Sequence, residues 1–393
     1  MEFTNDQYIA LGTLNTWYSK YKYQFIEVAG IIGTGVWDVL QEFISLSPLD
    51  RREVMYLSRN QKQVLELAYR GYHAYYLDGI IYNHTRHVDL NSLPILNSHS
   101  REPIVRWERS IRSKVDSRYK LMVIFDPDIL PVQTIKDIGT FGLPVILIRD
   151  PMMIPSPDTY TFLRDPNIVL REINQEYAGN PIVYFAQQSI LGKPLKYGNY
   201  DTVTIVPKRQ LNLYNLKSSD MNITLTEELR SEINMAYREK VMNISTPINI
   251  TGERVIATRS IRSERLQNAD NKKVKVYLTK GLVGYLSKVN KHAVSTRYIN
   301  VDFKPDGYSD SFVDLSLDRY KLNKVDGVSR QEIPDEVFEV DYAYALSAAL
   351  SRHSHWDKVT LIIENDITDD PELRTRLLYT AITRANKSLT IVV

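Results

Sequence analysis

Three glycines, Gly30, Gly33 and Gly35, have the spacing of a loop that closes around phosphate groups. They follow a β-rich stretch and precede an apolar helical pattern, which is the order of elements in a phosphate-binding loop. In such a loop backbone N–H groups bind phosphate oxygens, a lysine reaches the β- and γ-phosphates, and a hydroxyl group binds Mg²⁺. Val36 stands at the lysine position and Trp37 at the hydroxyl position. The sequence therefore has the scaffold of a nucleotide site without the side chains that do its chemistry.

Two carboxylates, Asp126 and Asp150, stand directly after apolar strands of the buried type. Ligands of open α/β sheets gather at the carboxyl ends of the strands. We therefore expect both carboxylates to lie at one edge of a sheet, close to the glycine loop. A second interpretation is that they cap turns at the strand ends, as aspartates commonly do.

Residues 101–120 form a strongly basic stretch of the chain, with seven basic side chains against three acidic ones and a net charge of +4. Trp107 lies among them. Cations around an aromatic ring suit single-stranded DNA, because phosphates meet the charges and a base stacks on the ring. The alternative interpretation is a solvated, arginine-rich hairpin.

The composition excludes several other classes of protein. The chain has 393 residues, a net charge of +2 and no cysteine, so neither a disulfide framework nor a thiolate metal site is expected. Its histidines stand at no recognisable ligand spacing, so we predict no metal site. No apolar run approaches about 18 residues, and the first residues lack the pattern of a signal peptide. We expect a cytoplasmic protein without a membrane partner.

The alternation of strands and helices predicts an α/β fold built on parallel sheets with helices on both faces. We predict a first domain over 1–195, with the basic subdomain 79–120 inserted in it. A second α/β domain is predicted over 202–393. Short alternating strands over 274–327 predict a small β-barrel inserted in this second domain, and the pattern after it predicts a helix over 341–351.

In their order and spacing these stretches resemble superfamily 1 helicases of the RecD/Dda type (superfamily 1B), over nearly the whole chain. Such proteins have two RecA-like parallel-sheet domains and a small barrel in the second, and members of this size occur in phage genomes. The stretches that carry the resemblance are Thr4–Gln7, Ala29–Trp37, Leu57–Lys62, Ala74–Tyr82, Arg149–Ser156, Gly252–Arg259, Tyr344–Trp356 and Tyr379–Ala385.

The resemblance implies a role for each matching residue. Gln7 corresponds to the glutamine that reads adenine, and Gly30, Gly33, Thr34 and Gly35 correspond to the phosphate loop. The remnants of the catalytic set are Asp126 for Mg²⁺, Asp150, and Arg384 at the position of the arginine finger. The matching DNA-contact positions, together with the basic segment, give a predicted DNA-binding set: Arg59, Asn60, Arg106, Trp107, Arg109, Arg112, Ser351 and Arg352.

The chain departs from the family at the residues that perform hydrolysis. Val36 and Trp37 replace the phosphate lysine and the Mg²⁺ hydroxyl, Pro127 replaces the catalytic glutamate, and Met153 and Gln175 replace two groups that contact the γ-phosphate. Phosphoryl transfer depends almost wholly on positioning and charge stabilisation, and an arginine finger alone contributes roughly 10³–10⁵ in rate. We therefore predict no ATPase activity and no cofactor.

The resulting hypothesis is a catalytically inactive helicase-like protein that acts as a binding or scaffold module in DNA replication or recombination. Its predicted partner is single-stranded DNA or a replication or recombination protein. Ala349 and Leu350 stand where the family has polar DNA contacts, which gives the protein partner nearly the same weight as DNA. The alternative is an active ATP-dependent 5′–3′ DNA helicase that uses ATP and Mg²⁺ at a non-standard site, with Arg59 or Lys62 reaching the phosphates.

Overall fold

The structure of the protein, a computed structural model, describes most of the chain. The described residues are 3–20, 24–89, 104–155, 166–244, 251–267, 273–290, 298–308, 310–318, 322, 337–352, 354–364 and 367–393.

The helices begin where the sequence supplies caps. Side chains of Asn60, Asn180 and Asp370 accept hydrogen bonds from backbone N–H groups of the first helical turn. Pro181 and Pro371 follow two of these caps, at the position where a missing N–H is tolerated. The helices are α1 (Asn5–Lys20), α2 (Val36–Leu46), α3 (Gln61–Tyr69), α4 (Leu77–Ile81), α5 (Val132–Gly139), α6 (Pro181–Ile190), α7 (Leu213–Ser218), α8 (Glu227–Lys240), α9 (Ala348–Ser351) and α10 (Pro371–Ile382).

The strands are short and, in the sheets described next, mostly buried. In the first half of the chain they are β1 (Phe25–Gly30), β2 (Val54–Ser58), β3 (Ala74–Tyr76), β4 (Tyr82–Asp89), β5 (Ile104–Ile111), β6 (Leu121–Phe125), β7 (Val145–Arg149), β8 (Ile168–Leu170), β9 (Gly198–Tyr200) and β10 (Val203–Val206). In the second half they are β11 (Met221–Thr224), β12 (Arg254–Ala257), β13 (Ile261–Gln267), β14 (Lys273–Leu278), β15 (Val283–Asn290), β16 (Tyr298–Pro305), β17 (Ser311–Asp318), β18 (Val340–Tyr342), β19 (Ala345–Ser347), β20 (Trp356–Ile362) and β21 (Ala385–Val392).

Two six-stranded sheets contain the parallel pairings. The first has the order β3-β2-β6-β7-β1-β8, and all its neighbouring strands are parallel. The second has the order β19-β11-β20-β21-β10-β9, with parallel pairing from β11 to β10 and an antiparallel edge strand β9. The central strands carry continuous apolar residues because helices cover both faces of such sheets. The α/β fold class predicted from the sequence is confirmed.

A third, antiparallel sheet has the order β14-β13-β17-β16-β15-β12-β18, and β4 pairs with β5 as a separate hairpin. The sheet therefore includes strands on both sides of 274–327, the range in which the sequence predicts a barrel. Over 341–351 the structure has β18, β19 and α9 in place of the predicted helix. Residues 342–348 are all buried, and a short buried run cannot be assigned to helix or strand by its periodicity.

The chain divides into two compact units. The first consists of Met1–Ile81, Arg112–Arg230 and Leu346–Val393, and it contains both parallel sheets. The second consists of Tyr82–Ile111 and Ser231–Ala345, and it contains the antiparallel sheet and the β4–β5 hairpin. The sequence-based boundaries at 195 and 202 separate the two parallel sheets instead, and they stay predictions. Among the described helices, none has the length and apolarity needed to cross a bilayer.

Candidate functional site

The order of the first sheet brings three chain segments to one edge. Strand β7 lies between β6 and β1, and all three run in the same direction. The glycine loop that follows β1 therefore lies beside Asp150, which follows β7, and Asp126 follows the next strand along. This is the edge at which parallel sheets bind their ligands.

The hydroxyl group of Tyr379 connects the glycine loop to Asp150. It accepts a hydrogen bond from the backbone N–H of Ile32, over 2.8 Å, and donates one to a carboxylate oxygen of Asp150. Tyr379 is fully buried and belongs to α10, the helix between the last two strands of the second sheet. We call this arrangement the Tyr379 bridge. One phenol thus holds a backbone amide of the glycine loop and the Asp150 carboxylate together.

Burial sets the protonation of the groups around the bridge. It raises the pKa of Asp150 to about 6, although the Tyr379 hydroxyl and the Met152 N–H stabilise the carboxylate. Burial and the Asp150 charge raise the pKa of Tyr379 well above its ordinary value, so the phenol remains a donor. Burial lowers the pKa of Arg384 to about 10, against the attraction of Asp126 and Asp150. Arg384 is therefore a cation at neutral pH that balances two carboxylates.

Arg384 is bound to groups of the protein itself. Its Nε donates to the carbonyl of Thr380 over 2.9 Å, one Nη donates to the carbonyl of Arg352, and the other donates to the Thr383 hydroxyl over 2.8 Å. The side chain is 2% exposed. A buried guanidinium whose three nitrogens donate to two backbone carbonyls and a hydroxyl fixes the end of α10.

Further hydrogen bonds from α9 and α10 fix the loops that follow β6 and β7. Arg352 pairs with Asp128 and donates to the carbonyl of Ile154, and all three groups are buried. Arg376 donates to the carbonyl of Pro151 over 2.7 Å. The Thr380 hydroxyl accepts from the Ile154 N–H over 3.1 Å. Breaking one partner of a buried ion pair costs about 3–5 kcal/mol, so this network holds the loops in a single arrangement.

Backbone conformation and packing within the protein require the glycines of the loop, independently of any bound phosphate. Gly33 and Gly35 have φ values of +85° and +68°, which side-chain-bearing residues rarely adopt. A Cβ at Gly33 would lie 2.8 Å from a methyl group of Val183, and one at Gly35 would lie 2.4 Å from Nε2 of Gln7. The fold therefore requires glycine at both positions whether or not a ligand binds.

Gln7, Thr34 and Gly30 are likewise used inside the protein. Gln7 is fully buried, donates to the Thr34 carbonyl over 2.9 Å and accepts from the Thr4 N–H over 2.9 Å. The Thr34 hydroxyl donates to the carbonyl of Ile31 over 2.7 Å. Gly30 lies against Thr34, since a Cβ there would be 2.5 Å from the threonine hydroxyl oxygen. The amide that would read adenine instead fixes the start of α1 to the glycine loop.

Trp37, which the family resemblance matches to the Mg²⁺-binding hydroxyl, lies in an aromatic cluster. The indole of Trp37 lies 5.2 Å from the ring of Tyr72, 5.9 Å from Tyr56 and 6.1 Å from Phe125, measured between centroids. Val36 packs against the same apolar core. No group of three His, Cys, Asp or Glu side chains positioned for a metal ion occurs in the part of the chain that the structure describes. These residues do not fit a Mg²⁺–nucleotide.

The predicted DNA contacts of the first compact unit are largely engaged within the protein. Arg59 pairs with Asp78 over 2.8 Å, and Asn60 caps α3. Ser351 and Arg352 are buried, with the Ser351 hydroxyl bonded to the Ala348 carbonyl. Because Ser351 and Arg352 present no accessible surface to DNA in this structure, we do not retain them as DNA contacts.

The basic segment retains exposed cations. The guanidinium of Arg109 lies 4.1 Å from the centroid of the Tyr82 ring, and the side chain is exposed. Arg112 is also exposed and donates to the carbonyl of Gly79 over 3.0 Å. The backbones of Arg106 and Trp107 belong to β5, and their side chains lie outside the described residues.

Lys62, the other cation considered for an active site, is bound away from the glycine loop. Its ammonium group donates to the His355 carbonyl and lies 5.5 Å from the centroid of the Trp356 ring.

The sequence analysis did not identify Tyr379 as a site residue, although Tyr379 is the first residue of the motif that contains Arg384. The available signal was a tyrosine beside apolar residues at the end of this helix, where a buried hydroxyl needs a partner.

Replacing Tyr379 by Phe removes the hydroxyl and leaves the Ile32 N–H and an Asp150 oxygen unpaired. An unsatisfied buried group costs about 1–3 kcal/mol, so amide hydrogen exchange at Ile32 rises roughly 5- to 150-fold in the variant. Tyr69→Phe, at an exposed tyrosine, is the control and leaves this exchange unchanged. Equal protection of the Ile32 amide in wild type and Tyr379→Phe contradicts the bridge.

Replacing Asp150 by Asn tests the buried carboxylate through its pH dependence. The folded pKa of Asp150, about 6, lies above its ordinary value of 3.8, so the folded state binds the proton more tightly than the unfolded state. Wild-type stability relative to Asp150→Asn therefore falls as pH rises from about 4 to about 6, by roughly 2–3 kcal/mol, and is constant above that window. Thermal midpoints across this range measure the difference, with exposed Asp201→Asn as control. A difference that grows with pH contradicts the assignment.

Comparison with solved structures finds similar folds at low sequence identity. The Pif1 helicase from Candida albicans is 12% identical with a TM-score of 0.42, and the match covers 100% of this chain and 95% of that chain. A Bacteroides Pif1 bound to ssDNA is 13% identical with a TM-score of 0.45, covering 100% and 92%. No family model and no curated protein matches the sequence. At such identities and TM-scores, we base no argument about activity on these similarities.

Proposed function

We propose that this chain is a helicase-like protein that has lost ATP turnover and acts as a binding module for single-stranded DNA in replication or recombination. The observation that carries the loss of turnover is the aromatic cluster around Trp37, since an indole packed among Tyr56, Tyr72 and Phe125 stands at the position of the Mg²⁺ hydroxyl in the family it resembles. The sequence supports the same conclusion through Val36, Trp37 and Pro127, which stand at the positions of the hydrolytic groups in the family it resembles.

The energetics of hydrolysis favour this proposal over an active motor. Loss of an arginine finger alone lowers phosphoryl-transfer rates by roughly 10³–10⁵, and Arg384 is bound to backbone carbonyls. Arg59 and Lys62, the cations of the alternative hypothesis, are bound to Asp78 and to the His355 carbonyl. An active site would require all these contacts to be exchanged at once.

The loss of turnover also removes the force that drives unwinding. A ligand shifts a conformational equilibrium only by its difference in affinity for the two states. Because contacts from α9 and α10 fix the loops after β6 and β7 without a nucleotide, we propose that the two parallel sheets keep one arrangement. Such a protein binds DNA or a partner as a rigid module.

The proposal that DNA is the ligand depends on the basic segment 101–120 and its exposed arginines. Phosphate contacts release counterions, so binding of this kind weakens steeply as salt rises. Arg109 and Arg112 are exposed side chains on which such contacts can form. A protein partner in replication or recombination is the alternative ligand for the same inactive module.

The test is fluorescence anisotropy of a labelled single-stranded oligonucleotide, titrated with protein at low and physiological salt, with and without Mg-ATP. We expect binding that weakens with salt and is unaffected by ATP. The double variant Arg109→Ala and Arg112→Ala binds more weakly, and the slope of log K against log salt becomes shallower by about 0.7 for each phosphate that an arginine no longer neutralises.

A variant that removes the same charge elsewhere is the control. Lys136 and Lys387 are exposed and lie outside the basic segment, and their double replacement by Ala leaves the affinity unchanged. Absence of binding at low salt overturns the DNA-binding proposal in favour of a protein partner. Binding that responds to Mg-ATP overturns the proposal that the nucleotide site is absent.

A further inference from the structure

A second cluster of cations lies far along the chain from the basic segment, at the edge of the second parallel sheet. We define the hairpin-end patch as Lys193, Lys196, Tyr197, Lys208 and Arg209. All five side chains are exposed, and Tyr197 is 62% exposed. The sequence between the first and last of these residues contains one acidic residue.

The geometry of the β9–β10 hairpin gathers the patch. Gly198 pairs with Ile205 in an antiparallel register, so the chain enters β9 and leaves β10 at the same end of the hairpin. Lys196 and Tyr197 stand just before β9, and Lys208 follows β10 closely. The turn after β10 is held in place, because the Lys208 N–H donates to the carbonyl of Val393 over 2.8 Å.

Contacts with neighbouring residues also fix strand β9 and the residues just before it. The ring of Tyr200 packs on Phe185 of α6 with a centroid distance of 4.9 Å, and its hydroxyl donates to the Lys196 carbonyl over 3.1 Å. Gly198 fits against this ring, since a Cβ there would lie 3.1 Å from it. The Tyr200 ring is therefore turned onto the protein, while the Tyr197 ring is exposed.

The charges of the patch are unbalanced locally. In the part of the chain that the structure describes, no carboxylate pairs with Lys193, Lys196, Lys208 or Arg209. The nearby acid, Asp201, lies in the turn at the other end of the hairpin. A three-residue strand spans about 10 Å, so this carboxylate is separated from the cations by the length of the strand.

We infer that the hairpin-end patch is a second contact surface for single-stranded DNA, with its four cations on backbone phosphates and Tyr197 stacked on a base. This inference rests on the proposed function, the binding of single-stranded DNA, and adds a surface that the basic segment does not include. Cations around an exposed aromatic ring are the combination that unpaired nucleotides require.

The shape of the patch favours this ligand over two others. An acidic peptide that extends the sheet would pair with β9, and three residues offer it few backbone hydrogen bonds. Duplex DNA keeps its bases stacked, so Tyr197 would contribute nothing to its binding. Single-stranded DNA is the ligand that uses both the charges and the ring.

The experiment compares two variants of the full chain by anisotropy with labelled oligo-dT of about 20 nucleotides. Lys196→Ala with Lys208→Ala weakens binding at about 50 mM salt by roughly tenfold for each lysine and makes the salt slope shallower by about 1.4. Tyr197→Ala weakens binding by roughly 5- to 150-fold, the range expected for one stacked base, without changing the salt slope. The double replacement of Lys136 and Lys387 by Ala makes the same change in charge and binds as wild type.

The outcomes separate this inference from the proposed function. If oligo-dT binding weakens in Arg109→Ala with Arg112→Ala and is unchanged in the patch variants, the inference is wrong and the proposed function stands. If the patch variants weaken binding and the arginine variant does not, the inference holds and the basic segment is not the site. Competition by poly-glutamate equal to that by oligo-dT, with no effect of Tyr197→Ala, assigns the patch to an acidic peptide and overturns the inference.

Discussion

The hydroxyl of Tyr379 satisfies one buried donor and one buried acceptor that belong to different loops of the first sheet. The Ile32 N–H and the Asp150 carboxylate both lie where strands end, at the edge where parallel sheets bind their ligands. Here the phenol belongs to α10, the helix between the last two strands of the second sheet. This contact holds the loops without a ligand, together with the Arg352–Asp128 pair and the hydrogen bonds of Arg376 and Thr380.

Contacts within the protein also give a reason for the glycines and for Asp150, although Val36 and Trp37 stand at two positions where the family has hydrolytic groups. The glycines are required by close packing against Val183 and Gln7, and Asp150 is required as the acceptor of Tyr379 and of a turn N–H. By contrast, a lysine at Val36 or a hydroxyl group at Trp37 would have no structural partner among the apolar and aromatic side chains there. The glycines and Asp150 therefore have a structural use in this protein that does not depend on hydrolysis.

The sequence was sufficient for the fold class and for the position of the glycine loop, because strand–loop–helix patterns are local. Placing Asp126 and Asp150 at the same edge needed only the rule that parallel strands share their carboxyl ends. Tyr379 was not predictable in this way, since its partner Ile32 is 347 residues away and their contact depends on how two sheets pack. The burial of Ser351 and Arg352 was missed for the same reason. The prediction of a helix over 341–351 is wrong, because a fully buried run of residues lacks the amphipathic pattern that distinguishes a helix from a strand.

The most direct test of the central claim is phosphate release from ATP by the full chain, with Mg²⁺ and saturating single-stranded DNA. The account predicts a rate indistinguishable from that of the Asp126→Ala variant, with and without DNA. Phosphate release that DNA stimulates and that Asp126→Ala abolishes would contradict it, because an active site would then exist where the structure has a bridge, a buried arginine and an aromatic cluster.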